Sequence, residues 1–514
     1  MLPLPEELPK WYTVEPFEER GWTPKTEDII EGPGLGLREV INAWENKLNL
    51  KSPQKSSIRL ELQIISPIQV GGGSVFEGGI LPAQIGGVPC VPGSSIRGAL
   101  LKWIKSKWAE ISDDEKLFWQ SLISKNLENW QPRQIRFENI LLGSLLKAFP
   151  LYSQQKWQVF NEKSNQLSIQ WQVQPKELPS SPHKLCVQVL LRNTSITNEQ
   201  KQWLETRLEE MLQHQGIGRG TASGFGRLAR SIPLGTWQIR LTGMKPCIQQ
   251  QKIENKILKQ PGKYRWTPQV LRANLRGYFT RLALSLLGKE NALKLTDKIF
   301  GALNSPALLI LTSYLFHIER ENIGSDLRDK YTNISAKDAH STWVINVDCN
   351  NDFQELIGAL LDLGSRLGGL GPGWRRPPHE LTRFLGFRGS QFTVTPANSQ
   401  ESLDQLIKKL QGLILNLAKV HGISTLSHPH SIPGSIISIW RGEKKQWEKI
   451  VHDVCKTQEN PSPPSWCGSE NCPSYYAVRE HEDYCYITVF HQDVEDTLSK
   501  KKYIFEQVWS LEKT

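Results

Sequence analysis

The chain has 514 residues, of which 39% are hydrophobic and 22% charged, and its net charge is +10. This composition is that of a globular chain long enough for two or three cores, and it excludes disorder. No run of 18 apolar residues occurs, so no transmembrane helix is expected, and the acidic, proline-broken start MLPLPEELPKWYTVEPFEERGW lacks the basic end and apolar run of a signal peptide, which makes the cytoplasm the expected compartment.

Residues 1–56, rich in proline, tryptophan and acids, read as an N-terminal extension, an arm toward a neighbouring subunit. A first domain is expected over 57–235. It opens on SIRLELQII, where Ile58, Leu60, Leu62 and Ile64 alternate with polar residues as in a half-buried strand. A glycine-rich stretch follows, then PGSSIRGALLKWIKSKW. Ile96, Leu100, Ile104 and Trp108 recur every four residues, which predicts a helix with one apolar stripe, and Ser94 or Ser95 can cap it. IRFENILLG (135–143) and HKLCVQVLLR (183–192) read as strands. TNEQKQWLETRLEEMLQH (197–214) reads as a helix with an N-cap threonine and an early glutamate. It runs into GIGRGTASGFGRL (216–228), five glycines and two arginines in thirteen residues. Such a loop tolerates positive φ and close backbone approach, and its N–H groups can form a nest for phosphate oxygens with guanidinium groups around them. The plainer alternative is a helix-to-strand turn with surface arginines.

A second domain, 236–440, repeats the plan. TWQIRLTG alternates as a strand, TPQVLRANLRGYFTRLALSLLG carries Leu271, Leu275, Phe279, Leu282 and Leu286 on one helix face, and STWVINVDC is a strand. NDFQELIGALLDLGSRL is a helix that empties into GGLGPGWRR. The first helices align, Ile96-Arg97-Gly98 with Leu275-Arg276-Gly277. Glycine inside a helix costs roughly 1 kcal/mol relative to alanine. Its double occurrence points to close approach of another chain, with tight helix–sheet packing as the competing reason. Strand, helix, strands, helix, glycine loop, strand is the order of a ferredoxin-like βαββαβ unit, so the expected fold is α+β with two such units in tandem, each with insertions. An open sheet face suits RNA, but no aromatic base-stacking motif is present.

Residues 441–514 read as a C-terminal insertion before a closing strand, YCYITVF. Cys455, Cys467, Cys472 and Cys485 are zinc-ligand types there, with His452 or His481 as substitutes; the C-x4-C spacing is loose, a second close pair is missing, and ordinary loop thiols are the alternative. The other cysteines are scattered among apolar residues and read as buried thiols. Charge is segregated. Segments 94–107, 216–230, 263–289 and 366–388 carry +4, +3, +6 and +4, more than the whole net charge of +10. That is the footprint of a polyanion track.

PGSSIRGAL followed by GIGRGTASGFGRL resembles the RAMP superfamily of CRISPR-associated proteins. TPQVLRANLRGYFTRLAL, IFGAL and LGGLGPGWRR resemble a second RAMP branch, and together the resemblance spans roughly 57–390. It implies a backbone-type subunit of a type III CRISPR effector complex, with a type III-D-like tandem arrangement. The implied partners are CRISPR RNA, target RNA and other effector subunits, with no membrane. The implied RNA contacts are Ser94, Ser95, Arg97, Gly218, Arg219, Gly220, Arg227, Arg265, Arg272, Arg276, Arg375 and Arg376. Family members that cut target RNA place an aspartate before the Arg-Gly helix, where a metal ion acts with it. Residues 66–93 contain none, with Leu81 at that position and Glu77 as the one acid. The expectation is therefore a non-catalytic subunit, with Mg²⁺ required only if Glu77 cuts RNA. A metal-independent processing endoribonuclease is the alternative, with His379 as its candidate base. The G-x4-G-K-[ST] pattern is absent, which excludes a P-loop. GWRRPPH departs from the family's glycine loop, because two prolines remove two N–H donors.

Overall fold

A computed structural model describes residues 57–511 apart from 153–158, 160–166, 321–340, 371–389, most of 455–474 and several shorter stretches. The first domain builds β1 (Ser57–Ile64), β2 (Ile68–Val70), α1 (Gly93–Lys107), α2 (Asp113–Leu122), β3 (Ile135–Phe137), β4 (Lys184–Leu191), α3 (Asn198–His214) and β5 (Leu228–Ala229). The main sheet runs β5-β1-β4-β3, every neighbour antiparallel. Counted along the βαββαβ plan this is fourth, first, third, second, the ferredoxin-like order. The strand alternation is as expected: Ile58, Leu60, Leu62 and Ile64 are buried, while Arg59 and Glu61 are exposed. Ile96, Leu100 and Ile104 of α1 lie at 0–1% exposure against that inner face. Each such side chain contributes roughly 1.5–3 kcal/mol of burial. The outer face carries Arg59, Glu61, Lys184, Cys186 and Gln188, with no aromatic on β1 or β4.

The second domain builds β6 (Trp237–Gly243), α4 (Pro268–Phe300), β7 (Leu311–Arg320), β8 (Ser341–Cys349), α5 (Gln354–Leu367) and β9 (Ser390–Thr395), followed by α6 (Leu403–Val420). Its sheet, β7-β8-β6-β9, has the same ferredoxin-like order. The predicted stripe of α4 is buried, from Leu271 to Leu286. The helix does not end at Gly288. That residue takes φ 77° and breaks the axis, and a second arm continues to Phe300. The second arm folds back: Phe300 packs on Phe279 with ring centroids 5.5 Å apart, and Thr296 lies 3.3 Å from Thr280.

The C-terminal region differs from an insertion with a closing strand. β10 (Ser438–Glu443), α7 (Lys444–Ile450), β11 (Tyr476–Glu480), β12 (Tyr484–Val489), α8 (Gln492–Leu498) and β13 (Phe505–Ser510) form a third four-stranded antiparallel sheet, β11-β12-β10-β13. This is the ferredoxin-like order again, so YCYITVF is the third strand of four rather than the last. The core beneath it includes Trp440, Trp447, Cys485, Ile487, Val489, Val494 and Leu498. The described residues fall into two compact units, one holding the first main sheet and the other the second and third.

Candidate nucleic-acid interface

The glycine loop after α3 starts from a well-defined helix end. Thr197 Oγ1 accepts from the Gln200 N–H (3.2 Å), and Gln200 Oε1 accepts from the Thr197 N–H (3.1 Å), so the capping partner is Gln200 rather than Glu199. At the far end the Gly216 N–H donates to Met211 O at 2.7 Å, and Gly216 itself has φ +76°. Gly218, Gly220, Gly224 and Gly226 also have positive φ.

Most of these glycines admit the protein's own backbone. A Cβ on Gly226 would stand 1.8 Å from Ile217 O, and one on Gly218 would stand 2.4 Å from Gln69 O. The loop lies along residues 65–71: Arg219 N–H donates to Gln69 O (2.9 Å), Gly226 N–H to Pro67 O (2.8 Å) and Arg227 N–H to Ser66 Oγ (2.9 Å). Ser66, Gln69 and Gly71 were not among the candidate residues, and their positioning role follows from this pairing. Arg227 is fully buried, and its guanidinium donates to Phe225 O (3.3 Å) and Thr221 O (2.8 Å). It braces the loop from inside instead of facing a ligand.

The exposed apex is Gly218-Arg219-Gly220. The Arg219 side chain lies over Gly71, where a Cβ would come within 2.4 Å of its Cδ. No described carboxylate pairs with Arg219, whereas Arg230 is held by Glu205 and Glu209. Of the three cations in 216–230, one is therefore available to a partner.

Helix α1 supplies a second exposed surface in the same unit. Its N-cap is Pro92, and neither Ser94 nor Ser95 caps it; Asn139 Oδ1 accepts from the Gly93 N–H instead (2.8 Å). The two serines stay exposed at the positive end of the helix dipole, and the first turn has no acid. Arg97, Gly98, Lys102 and Lys105 are exposed on the outward side, and none of these three cations has an ion-pair partner among the described residues. A Cβ on Gly98 would meet nothing within 4 Å. Packing on the sheet therefore does not explain this glycine.

The aligned pair in the second domain is turned inward. Arg272 is 4% exposed, donates to Phe300 O and lies 5.8 Å from the Phe300 ring. Burial, then the neighbouring Arg276, lower its pKa to about 9. Arg276 donates to Gly301 O and pairs with Asp297. Both arginines tie the second arm of α4 to the first, so the same Arg-Gly signature faces outward in the first domain and inward in the second.

Arg265, Arg375, Arg376, Glu77 and His379 lie outside the described residues, as do Cys455, Cys467, Cys472 and His452. Cys485 is a fully buried thiol in the third core. His481 Nε2 lies 3.0 Å from Arg366 O, and its ring stacks on Tyr484 at 4.7 Å. Among the described residues no group of three or more His, Cys, Asp or Glu side chains could hold a metal ion, and no helix is long and apolar enough to cross a membrane.

The architecture is thus a chain of ferredoxin-like units, with an exposed cationic helix start and glycine loop in the first. Residues 61–229, the segment containing both, match the model of the RAMP superfamily. Among solved structures, Cmr6 from Pyrococcus furiosus aligns at 15% identity over 34% of this chain and 98% of its own, with a TM-score of 0.21. Cmr1 from Pyrococcus furiosus, in its apo form, aligns at 12% identity over 54% of this chain and 99% of its own, with a TM-score of 0.30. No curated protein matches the chain.

Proposed function

We propose that the chain is a CRISPR RNA-binding backbone subunit of a type III effector ribonucleoprotein complex. It would hold guide RNA for pairing with target RNA in antiviral defence, in the cytoplasm. The observation that carries this reading is the exposed cation set Arg97, Lys102, Lys105 and Arg219, without an ion-pair partner among the described residues and displayed with open space over Gly98 inside the segment that matches the RAMP superfamily. Guanidinium and ammonium groups on a helix start and a glycine loop contact phosphates and leave sequence choice to base pairing. In this reading neither RNA is cut, because residues 66–93 supply no aspartate.

The test is incubation of the full chain with labelled CRISPR RNA and complementary target, with and without Mg²⁺, resolved on native and denaturing gels. Binding with both RNAs intact supports the proposal. Mg²⁺-dependent cleavage of target would assign Glu77 a catalytic role, and metal-independent cleavage of precursor would favour the processing-enzyme reading through His379.

A further inference from the structure

A second helix glycine stands open. Gly412 is exposed in the middle of α6, where an added Cβ would meet nothing within 4 Å, as at Gly98 of α1. Glycine weakens a helix interior, and packing within the chain does not explain this one. Leu406, Ile407, Leu410, Ile414 and Ala418 form the buried stripe of α6. The opposite stripe is Gln405, Lys408, Gly412, Leu415, Asn416 and Lys419, all exposed. On α1 the residues four and seven places after the open glycine are Lys102 and Lys105; on α6 they are Asn416 and Lys419.

The charges around this face are unevenly paired. Lys408, near the start of α6, is held by Asp404 at 2.9 Å, and Lys409 lies 3.5 Å from Glu355. Lys419, at the other end, has no ion-pair partner among the described residues. That end meets the second arm of α4. Asn291 Nδ2 donates to Ser424 O at 3.0 Å, and the Leu426 N–H donates to Leu286 O at 2.9 Å. Burial, and then the charge of Lys298, lower the pKa of His421 at the end of α6. Lys294 and Lys298 are exposed one turn apart on the arm, about 6 Å along its axis, and neither has an ion-pair partner among the described residues. Asp297, beside Lys298, is taken by Arg276. Three available cations therefore gather where the two helices meet, two turns from the open glycine.

We propose that the outer face of α6 from Gly412 to Lys419, with Lys294 and Lys298 of α4, is a second contact surface for single-stranded RNA. The three lysines take phosphates, and Gly412 lets the strand lie against the helix, with Leu415 and Asn416 beside the sugars and bases. A protein partner is the competing occupant. Cations without acids and a missing side chain favour phosphate, whereas Leu415 and Val420, 37% and 68% exposed, make only a small apolar patch for a protein. With Arg272 and Arg276 turned inward, this face gives the second domain its own route to RNA. The inference uses no residue of α1 and lies in the other compact unit.

The experiment is photo-crosslinking of the full chain to an oligouridylate carrying 4-thiouridine, mapped by mass spectrometry, together with anisotropy titrations of the same oligonucleotide across salt. Crosslinks within 403–422 or 289–300 are expected. The triple variant Lys294→Ala/Lys298→Ala/Lys419→Ala, at three exposed positions, should flatten the log–log salt slope by roughly 2 and weaken binding roughly tenfold or more at low salt. Gly412→Ala should melt at or above wild type and bind severalfold more weakly. Crosslinks to these segments that persist in Arg97→Ala/Arg219→Ala support the surface even if the RNA role of α1 fails. Crosslinks confined to α1 and the glycine loop overturn it and leave that role standing. Wild-type slope and affinity in both the triple variant and Gly412→Ala overturn it as well and return the face to a protein partner.

Discussion

Gly98 and Gly226 occupy the two motifs that point to RNA, yet the structure gives them opposite roles. At Gly226 the backbone has φ +78°, and an added Cβ would stand 1.8 Å from Ile217 O. Left-handed strain for alanine is roughly 1–2 kcal/mol, and forced overpacking adds roughly 1–3 kcal/mol. Gly226→Ala is therefore expected to lose roughly 2–5 kcal/mol, or roughly 5–15 °C in melting temperature. At Gly98, inside α1, an added methyl meets nothing within 4 Å. Removing a helix glycine there gains roughly 0.5–1 kcal/mol. If RNA lies over that turn, the same methyl occupies its space, and a cost of about 1 kcal/mol weakens binding roughly fivefold. The assay pairs urea unfolding with fluorescence-anisotropy binding to guide RNA. A Gly98→Ala protein that is as stable as or more stable than wild type, and binds more weakly, is the predicted result. Unchanged affinity would refute close approach at α1, and an unchanged Gly226→Ala midpoint would refute the packing role assigned to the loop.

Three further outcomes are expected. Arg227→Met should lower stability by roughly 2–4 kcal/mol, because its carbonyl partners lose a charged donor inside the loop; an unaltered urea midpoint would contradict the bracing role. Arg276→Ala should destabilise the folded-back arm of α4 while leaving the salt dependence of RNA affinity as in wild type; a shallower slope would show that this arginine reaches phosphate after all. Glu115 carries a pH signature. Burial opposes its ionisation, but hydrogen bonds from Arg207 (2.8 Å) and Trp119 (3.0 Å) outweigh that, so its pKa lies below the ordinary 4.5. A lowered folded pKa stabilises the native state above the unfolded value, and that gain is lost as pH falls through the folded value. The advantage of wild type over Glu115→Gln should thus be full near neutrality and shrink below about pH 4.5, as read by thermal melts across pH; a gap that persists at low pH would contradict it.

Strong periodicity made much of the fold legible. The alternation of Ile58 to Ile64 and the stripes of α1 and α4 report burial directly, and the helix–glycine-loop order exposed the repeated plan. β7 was missed, and its register shifts at Leu315/His317 and Ile318/Arg320 break the alternation that would mark it. The third unit was missed because α7 and α8 have seven residues each, too short for helical periodicity to emerge. For the site, residue type could not tell an outward arginine from an inward one. Arg97 and Arg276 share one local pattern, and what separates them is Asp297 and the Gly301 carbonyl, supplied by an arm that returns after Gly288.

The most direct test of the central claim is guide-RNA affinity as a function of salt for wild type and for the double variant Arg97→Ala/Arg219→Ala. Both side chains are exposed, so the variant should melt as wild type does. If each contacts one phosphate of a single strand, the log–log slope should flatten by roughly 1.4 and affinity at low salt should fall for unrelated RNA sequences alike. Equal slopes and equal affinities in a folded double variant would contradict the assignment of α1 and the glycine-loop apex as the RNA track.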